Sequence, residues 1–145
     1  MNCDDSTHGT YLLLFVCSNK VEISIGRLGR MVTKPGYYLY VGSAYGPGGI
    51  KARVRHHQRI ASRPHWHIDY LRAVTALVDT WCVYGLRREH EWAHSLMQSE
   101  AATAPLNGFG SSDCSCVTHL FHFRRKPVKE ELEKLLNSKL VSVDV

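Results

Sequence analysis

Apolar and polar positions along the chain follow two rhythms. Residues 9–17 (GTYLLLFVC) are almost continuously apolar and predict a buried strand. Val21-Glu22-Ile23-Ser24-Ile25 alternates apolar and polar, as a half-exposed strand does, and Tyr37–Val41 is an aromatic-rich strand. Gly26, Gly29 and Pro35-Gly36 punctuate the stretch between them, so the three strands predict an antiparallel meander. Beyond the flexible Gly46-Pro47-Gly48-Gly49 turn the spacing becomes helical. Ile50, Val54 and Ala61 form an apolar stripe over residues 50–62, which Pro64 ends. A short helix over 65–73, a strand over 76–84 and a helix over 87–100 come next. A Gly/Ser-rich loop over 104–113, a strand over 117–123 and a helix over 128–136 complete the pattern. With no repeat, low-complexity segment or linker, the pattern predicts one α/β (α+β) domain over residues 9–137. Its sheet is small, mainly antiparallel and flanked by helices, with tails at 1–8 and 138–145.

Composition narrows the partner class. Lys and Arg number 18 against 13 Asp and Glu, and nine histidines are present besides. This modest basic excess favours an anionic partner, of which nucleic acid is the commonest. A charged fraction of 21% with 44% hydrophobic residues excludes a disordered chain. The apolar run Leu12–Val16 is too short to span a bilayer and lacks a basic leader, and the five cysteines are odd in number. A reduced, cytoplasmic setting without membrane association is the expectation.

The chemistry-bearing residues come in an ordered series. Gly9-x-Tyr11 lies on the first strand and Tyr40-x-Gly42 on the aromatic one, each glycine leaving room for close backbone approach beside a phenol. Phenolic oxygens can hydrogen-bond both water and phosphate. Arg53 and His57, four apart, share one helix face; Arg53 can grip phosphate bidentately, and His57 titrates near neutrality. Gly42 and Ser43 at the strand end are candidate DNA contacts, as are Lys51, Arg55, Arg59 and Arg63 in the basic segment and His65 and His67 beyond it. In the helix after Gly85, Trp92, Ala93, Leu96 and Met97 define the apolar side. Glu89 projects into its middle and Glu91 almost opposite. A carboxylate aimed at the core side calls for a partner or a metal, which makes Glu89 the candidate metal ligand and Glu91 the alternative.

This series resembles the GIY-YIG endonuclease superfamily in order and residue type. It is most similar to an archaeal and bacterial branch of largely undefined function, sometimes fused to a base-excision DNA glycosylase. Gly-Tyr-Tyr-Leu-Tyr-Val-Gly-Ser-Ala (36–44), His-Trp-His-Ile-Asp-Tyr-Leu (65–71) and Phe-Gly-Ser-Ser-Asp-Cys-x-Cys with a following His-Leu-Phe (109–121) carry that similarity. The resemblance implies a metal-dependent endonuclease acting on DNA, in repair, with a repair glycosylase as a possible partner. It implies Mg²⁺ or Mn²⁺ on Glu89, with Tyr11, Tyr40, Arg53 and His57 as the other catalytic residues. A non-catalytic nucleic-acid-binding or accessory module on the same fold is the alternative. Thr10 stands where the superfamily has Ile, and the gap from Tyr11 to Tyr40 is long. The superfamily's late asparagine falls on Asn107, with Ser111 and Asp113 as substitutes.

Two further clusters stand out. On a helix, His65 and Asp69 share a face and can grip phosphate or support His57. Cys114, Cys116 and His119 suggest a structural Zn²⁺, but Cys-x-Cys is a poor hook, and His67 or Cys82 would have to complete the site.

Overall fold

The computed structural model describes residues 8–111 and 115–143. Strand β1 (Gly9–Cys17) leads into a hairpin of β2 (Glu22–Ile25) and β3 (Gly29–Val32), and β4 (Gly36–Ala44) follows. Helices α1 (Gly49–Gln58) and α2 (His67–Arg72) precede β5 (Ala76–Tyr84) and α3 (Glu89–Gln98). Strands β6 (Ala102–Thr103) and β7 (Leu120–Phe123), helix α4 (Lys129–Leu136) and strand β8 (Val141–Ser142) complete the described order. The main sheet runs β6-β7-β4-β1-β5-β8, and its neighbouring strands pair antiparallel. The fold is therefore α+β, as the sequence predicts.

β1 is apolar throughout because both of its faces are covered. Tyr11, Leu13 and Phe15 pack with Ile50 and Val54 of α1 and Ile68 and Leu71 of α2. Leu12 and Leu14 pack with Trp92 and Leu96 of α3 and Leu132 and Leu136 of α4. The sheet thus lies between two helical layers with a core on each side, and β1 is central to both.

The predicted meander does not form. β2 and β3 pair only with each other, in a separate two-stranded sheet, and β4 pairs directly with β1. β3 is four residues long with only Met31 buried, too short for a periodicity to mark it as a strand. α1 stops at Gln58, short of the predicted residue 62. Arg72 donates from Nε to the His57 carbonyl and from Nη2 to the Gln58 carbonyl, both at 2.9 Å, satisfying carbonyls the helix leaves open. Residues 117–119, predicted as strand, pair instead with the 108–109 turn: the Gly108 amide donates to the Val117 carbonyl and the His119 amide to the Phe109 carbonyl. The segment after α4, expected as a tail, returns to place β8 against β5 through the Trp81↔Ser142 register. The expected N-terminal tail lies outside the described residues except for His8. Among the described residues, no helix is long and apolar enough to cross a membrane.

Candidate active site

The tyrosine motifs meet across one strand pair. Tyr11 stands opposite Gly42 in the β1–β4 register, and Tyr40 opposite Leu13. The two rings are therefore diagonal neighbours on one face, with centroids 6.5 Å apart. Glycine at 42 is a spatial requirement: a Cβ there would lie 2.5 Å from the Tyr11 hydroxyl oxygen. Gly110, at φ +70°, plays a similar part on the far side, where a Cβ would meet the Tyr40 ring at 2.9 Å.

α1 sets its functional face against these rings. His57 is buried, and its Nε2 lies 3.1 Å from the Tyr11 hydroxyl. Arg53, one turn earlier, reaches the same hydroxyl and stacks its guanidinium 4.4 Å from the Trp66 ring centroid. Burial pushes the Tyr11 phenol well above its ordinary value, and the Arg53 charge only partly offsets this. Tyr40 moves the same way, from burial first and then from the neighbouring Tyr11 and Glu89. Burial, helped by His56, pushes His57 down to about 3, so its imidazole is neutral. A neutral His57 that accepts the Tyr11 proton at Nε2 carries its own proton on Nδ1, which lies 3.9 Å from Asp69 Oδ1.

Asp69 organises this side of the site. It accepts the backbone N–H groups of His65 and Trp66 at 2.8 and 2.9 Å, and its Oδ1 lies 2.9 Å from His56 Nε2. Burial alone would raise its pKa, but these donors hold it below the usual value. His56, His57 and Asp69 are close enough to hold an ion. His56 and two backbone amides engage the Asp69 carboxylate and Tyr11 engages His57 Nε2, while His57 Nδ1 is buried without a hydrogen-bond partner among the described residues.

Glu89 arrives from the opposite layer, at the start of α3. Its Oε2 lies 3.2 Å from His119 Nδ1, and its side chain is 22% exposed. Burial raises its proton affinity, but His119, His90 and the Ser43 hydroxyl outweigh that and keep the carboxyl ionised. Its charge reaches both Tyr11 and Tyr40. Glu91 instead faces solvent and pairs with Arg88 at 3.0 Å. Thr10, buried between the two motif residues, fixes where α3 begins: its Oγ1 donates to the Leu86 carbonyl and accepts the Arg88 amide, both at 2.8 Å.

The series Tyr11, Tyr40, Arg53, His57 and Glu89 thus converges, with Gly42 and Ser43 beside it. The predicted DNA contacts divide. Arg55, Arg59 and Arg63 are exposed and, with His56, line an open groove of about 530 Å³ along α1. Lys51 is exposed, but at 3.6 residues per turn it stands roughly 160° around the helix from Arg53. His65 is exposed against Trp66, at 4.8 Å between centroids. His67 is occupied, its Nδ1 accepting the Gly110 amide at 2.8 Å while its ring packs on Phe109. Two of the blocks that carry the resemblance, 65–71 and 109–121, therefore hold each other around Tyr40. Of the candidates for the late asparagine, Asn107 is exposed and Ser111 is buried, its Oγ unpartnered among the described residues. Asp113 lies outside the described residues, as does Cys114.

Sequence reasoning overlooked Thr10, Trp66 and His119 as parts of this site. Thr10 did carry a signal, being a polar residue at the head of an otherwise apolar run. Among the described residues, neither His67 nor Cys82 joins Cys116 and His119 in a group close enough to hold an ion. Cys82 is buried opposite Tyr11 in β5, and His90 is the residue beside Cys116, with 3.2 Å from Nδ1 to Sγ.

Comparison with curated proteins and with solved structures gives no match. The profile of a domain of unknown function, DUF123, matches residues 10–141, from Thr10 in β1 to Val141 in β8. That span takes in every residue of the site just described, and the chain belongs to the DUF123 family.

Proposed function

We propose that the protein is a metal-dependent endonuclease that hydrolyses DNA phosphodiester bonds, as its resemblance to the GIY-YIG nucleases implies. The observation that carries this reading is the convergence of two phenols, a guanidinium, a neutral imidazole and an ionised glutamate, brought from β1, β4, α1 and α3. Phosphodiester hydrolysis needs a positioned water, neutralised phosphorane charge and a stabilised leaving oxygen.

Each residue supplies one of these. Arg53, its guanidinium carbon over the Trp66 ring, neutralises charge on the phosphate oxygens. His57 accepts the Tyr11 hydrogen and so turns a phenolic lone pair toward the attacking water; with its low basicity it orients the water and is not its final base. Tyr40 positions the scissile group. Glu89 suits a single Mg²⁺ or Mn²⁺: it is ionised, partly exposed and not saturated by His119 and Ser43, and magnesium is commonly held by one carboxylate with waters and phosphate. When bound, such an ion supplies Lewis-acid stabilisation of the leaving oxygen. The groove lined by Arg55, Arg59 and Arg63 gives the backbone of the nucleic acid an electrostatic track.

The burial of Tyr11, only 1% exposed, favours a second reading in which the fold binds nucleic acid without cutting it. Incubation with labelled single-stranded, duplex, flapped and abasic DNA, with Mg²⁺ or Mn²⁺ and then with chelator, separates the two. Metal-dependent products support the nuclease. Binding that weakens steeply with salt, with no product on any substrate, supports the binding module and overturns the nuclease.

A further inference from the structure

Beside Glu89, on the side of α3 that faces residues 115–119, stands a second group of donors, of which the proposed reaction draws on His119 and His90 only for their electrostatic support of Glu89. His90, Cys116 and His119 each offer one ligand atom, and these atoms all lie within 4.8 Å of one another. We propose that these three side chains form a site for a borderline divalent transition metal, Zn²⁺ above all, separate from the Mg²⁺ or Mn²⁺ reading of Glu89.

The donor chemistry selects the metal. One thiolate and two imidazoles suit zinc and its neighbours, and neither magnesium nor calcium takes such a set. The spacing suits it as well. Bonds of about 2.0–2.1 Å to nitrogen and about 2.3 Å to sulfur place tetrahedral ligands roughly 3.3–3.6 Å apart. His90 Nδ1 and Cys116 Sγ, at 3.2 Å, already stand near that separation. The largest adjustment is about 1.5 Å, which the exposed His90 can make by side-chain rotation.

His119 is the rigid member. It is buried, its amide donates to the Phe109 carbonyl at 2.8 Å, and its carbonyl accepts the Val41 amide at 2.9 Å. Its Nδ1 faces Glu89 Oε2 at 3.2 Å. With the proton on Nδ1, Nε2 carries the lone pair a metal needs. A carboxylate accepting the far N–H of a ligating histidine is the usual way such a ring is oriented. The site opens onto a groove of about 390 Å³, which gives an ion a way in. His94, one helical turn beyond His90, is exposed and lines the same groove. The same zinc would tie α3 to residues 115–119 directly behind Glu89.

The test reads metal content, so its outcome is independent of nuclease activity. Full-length protein without a histidine tag is equilibrated with Zn²⁺, dialysed and measured by elemental mass spectrometry; a second sample is loaded with Co²⁺ for absorption spectroscopy. The parent should retain about one zinc per chain and, with Co²⁺, show a thiolate-to-cobalt charge-transfer band with tetrahedral ligand-field intensity. Cys116→Ser should lose the band, and both Cys116→Ser and His90→Ala should lose at least tenfold in zinc affinity, with circular dichroism unchanged. A parent that retains no zinc overturns the proposal, as does a folded Cys116→Ser that retains zinc at parental affinity.

Discussion

Replacing Gly42 by alanine tests the geometry of the tyrosine pair. At an open strand position the change would stabilise, because glycine in a strand costs about 0.5–1 kcal/mol relative to alanine. Gly42 is not open: its new Cβ would lie 2.5 Å from the Tyr11 hydroxyl oxygen and closer still to the ring. Tyr11 has little room to yield, being 1% exposed and held by His57 at 3.1 Å. Overpacking of this kind costs about 1–3 kcal/mol, which exceeds the propensity gain. The expected net destabilisation is roughly 1–2 kcal/mol, a fall in Tm of about 3–8 °C for a domain of this size. Because the ring must move by up to about 1 Å, cleavage should fall on the order of 100-fold, well beyond what the loss of folded protein explains. Paired thermal melts and single-turnover cleavage on the same preparation measure both. A Gly42→Ala protein that melts at or above the parent and cuts at the parental rate would refute the account of why this motif carries glycine.

Thr10→Val keeps the shape of the side chain but leaves the Leu86 carbonyl and the Arg88 amide without their partner. Both bonds are only partly buried, so each lies toward the low end of the about 1–3 kcal/mol that an unmade buried hydrogen bond costs, and chemical unfolding should show a loss of roughly 2–3 kcal/mol, accompanied by reduced turnover as Glu89 loosens. The pH dependence follows from His57. Its unfolded imidazole takes up a proton near 6.5, whereas the folded one does not until about 3, so the unfolded state binds more protons between these values and acid favours unfolding. Stability is full above the unfolded value and should fall by about 2 kcal/mol between pH 7 and 5 from this group alone. Burial lowers His67 and His122 as well, which adds to the fall in the same direction. Urea titrations at the two pH values should therefore show a smaller difference in His57→Gln than in the parent; equal differences would contradict the burial argument.

The sequence made the site more legible than the scaffold. Gly9-x-Tyr11, Tyr40-x-Gly42 and the Arg53/His57 spacing are local, so a strand register or one helical turn converts each directly into shared geometry. The choice of Glu89 over Glu91 followed from helix phase, and the two side chains do face the site and solvent respectively. Pairing partners were less legible because they depend on contacts distant in sequence. Nothing local distinguishes a meander from a separate β2–β3 hairpin. The end of α1 was set by Arg72, 14 residues beyond Gln58. Two-residue strands such as β6 and β8 carry too few positions for a periodicity to register. His90 is not legible as a neighbour of Cys116, since only the tertiary fold brings α3 alongside residue 116.

The central claim is that Glu89 anchors a catalytic site shared by Tyr11, Tyr40, Arg53 and His57. Glu89→Gln preserves size and a hydrogen-bond acceptor for His119 while removing the charge that would hold the ion. The decisive measurement is DNA binding and Mg²⁺- or Mn²⁺-dependent cleavage by this variant and the parent on one substrate. Cleavage by the parent, lost in the variant with binding nearly intact, is the predicted result. A variant that cuts as fast as the parent would contradict it.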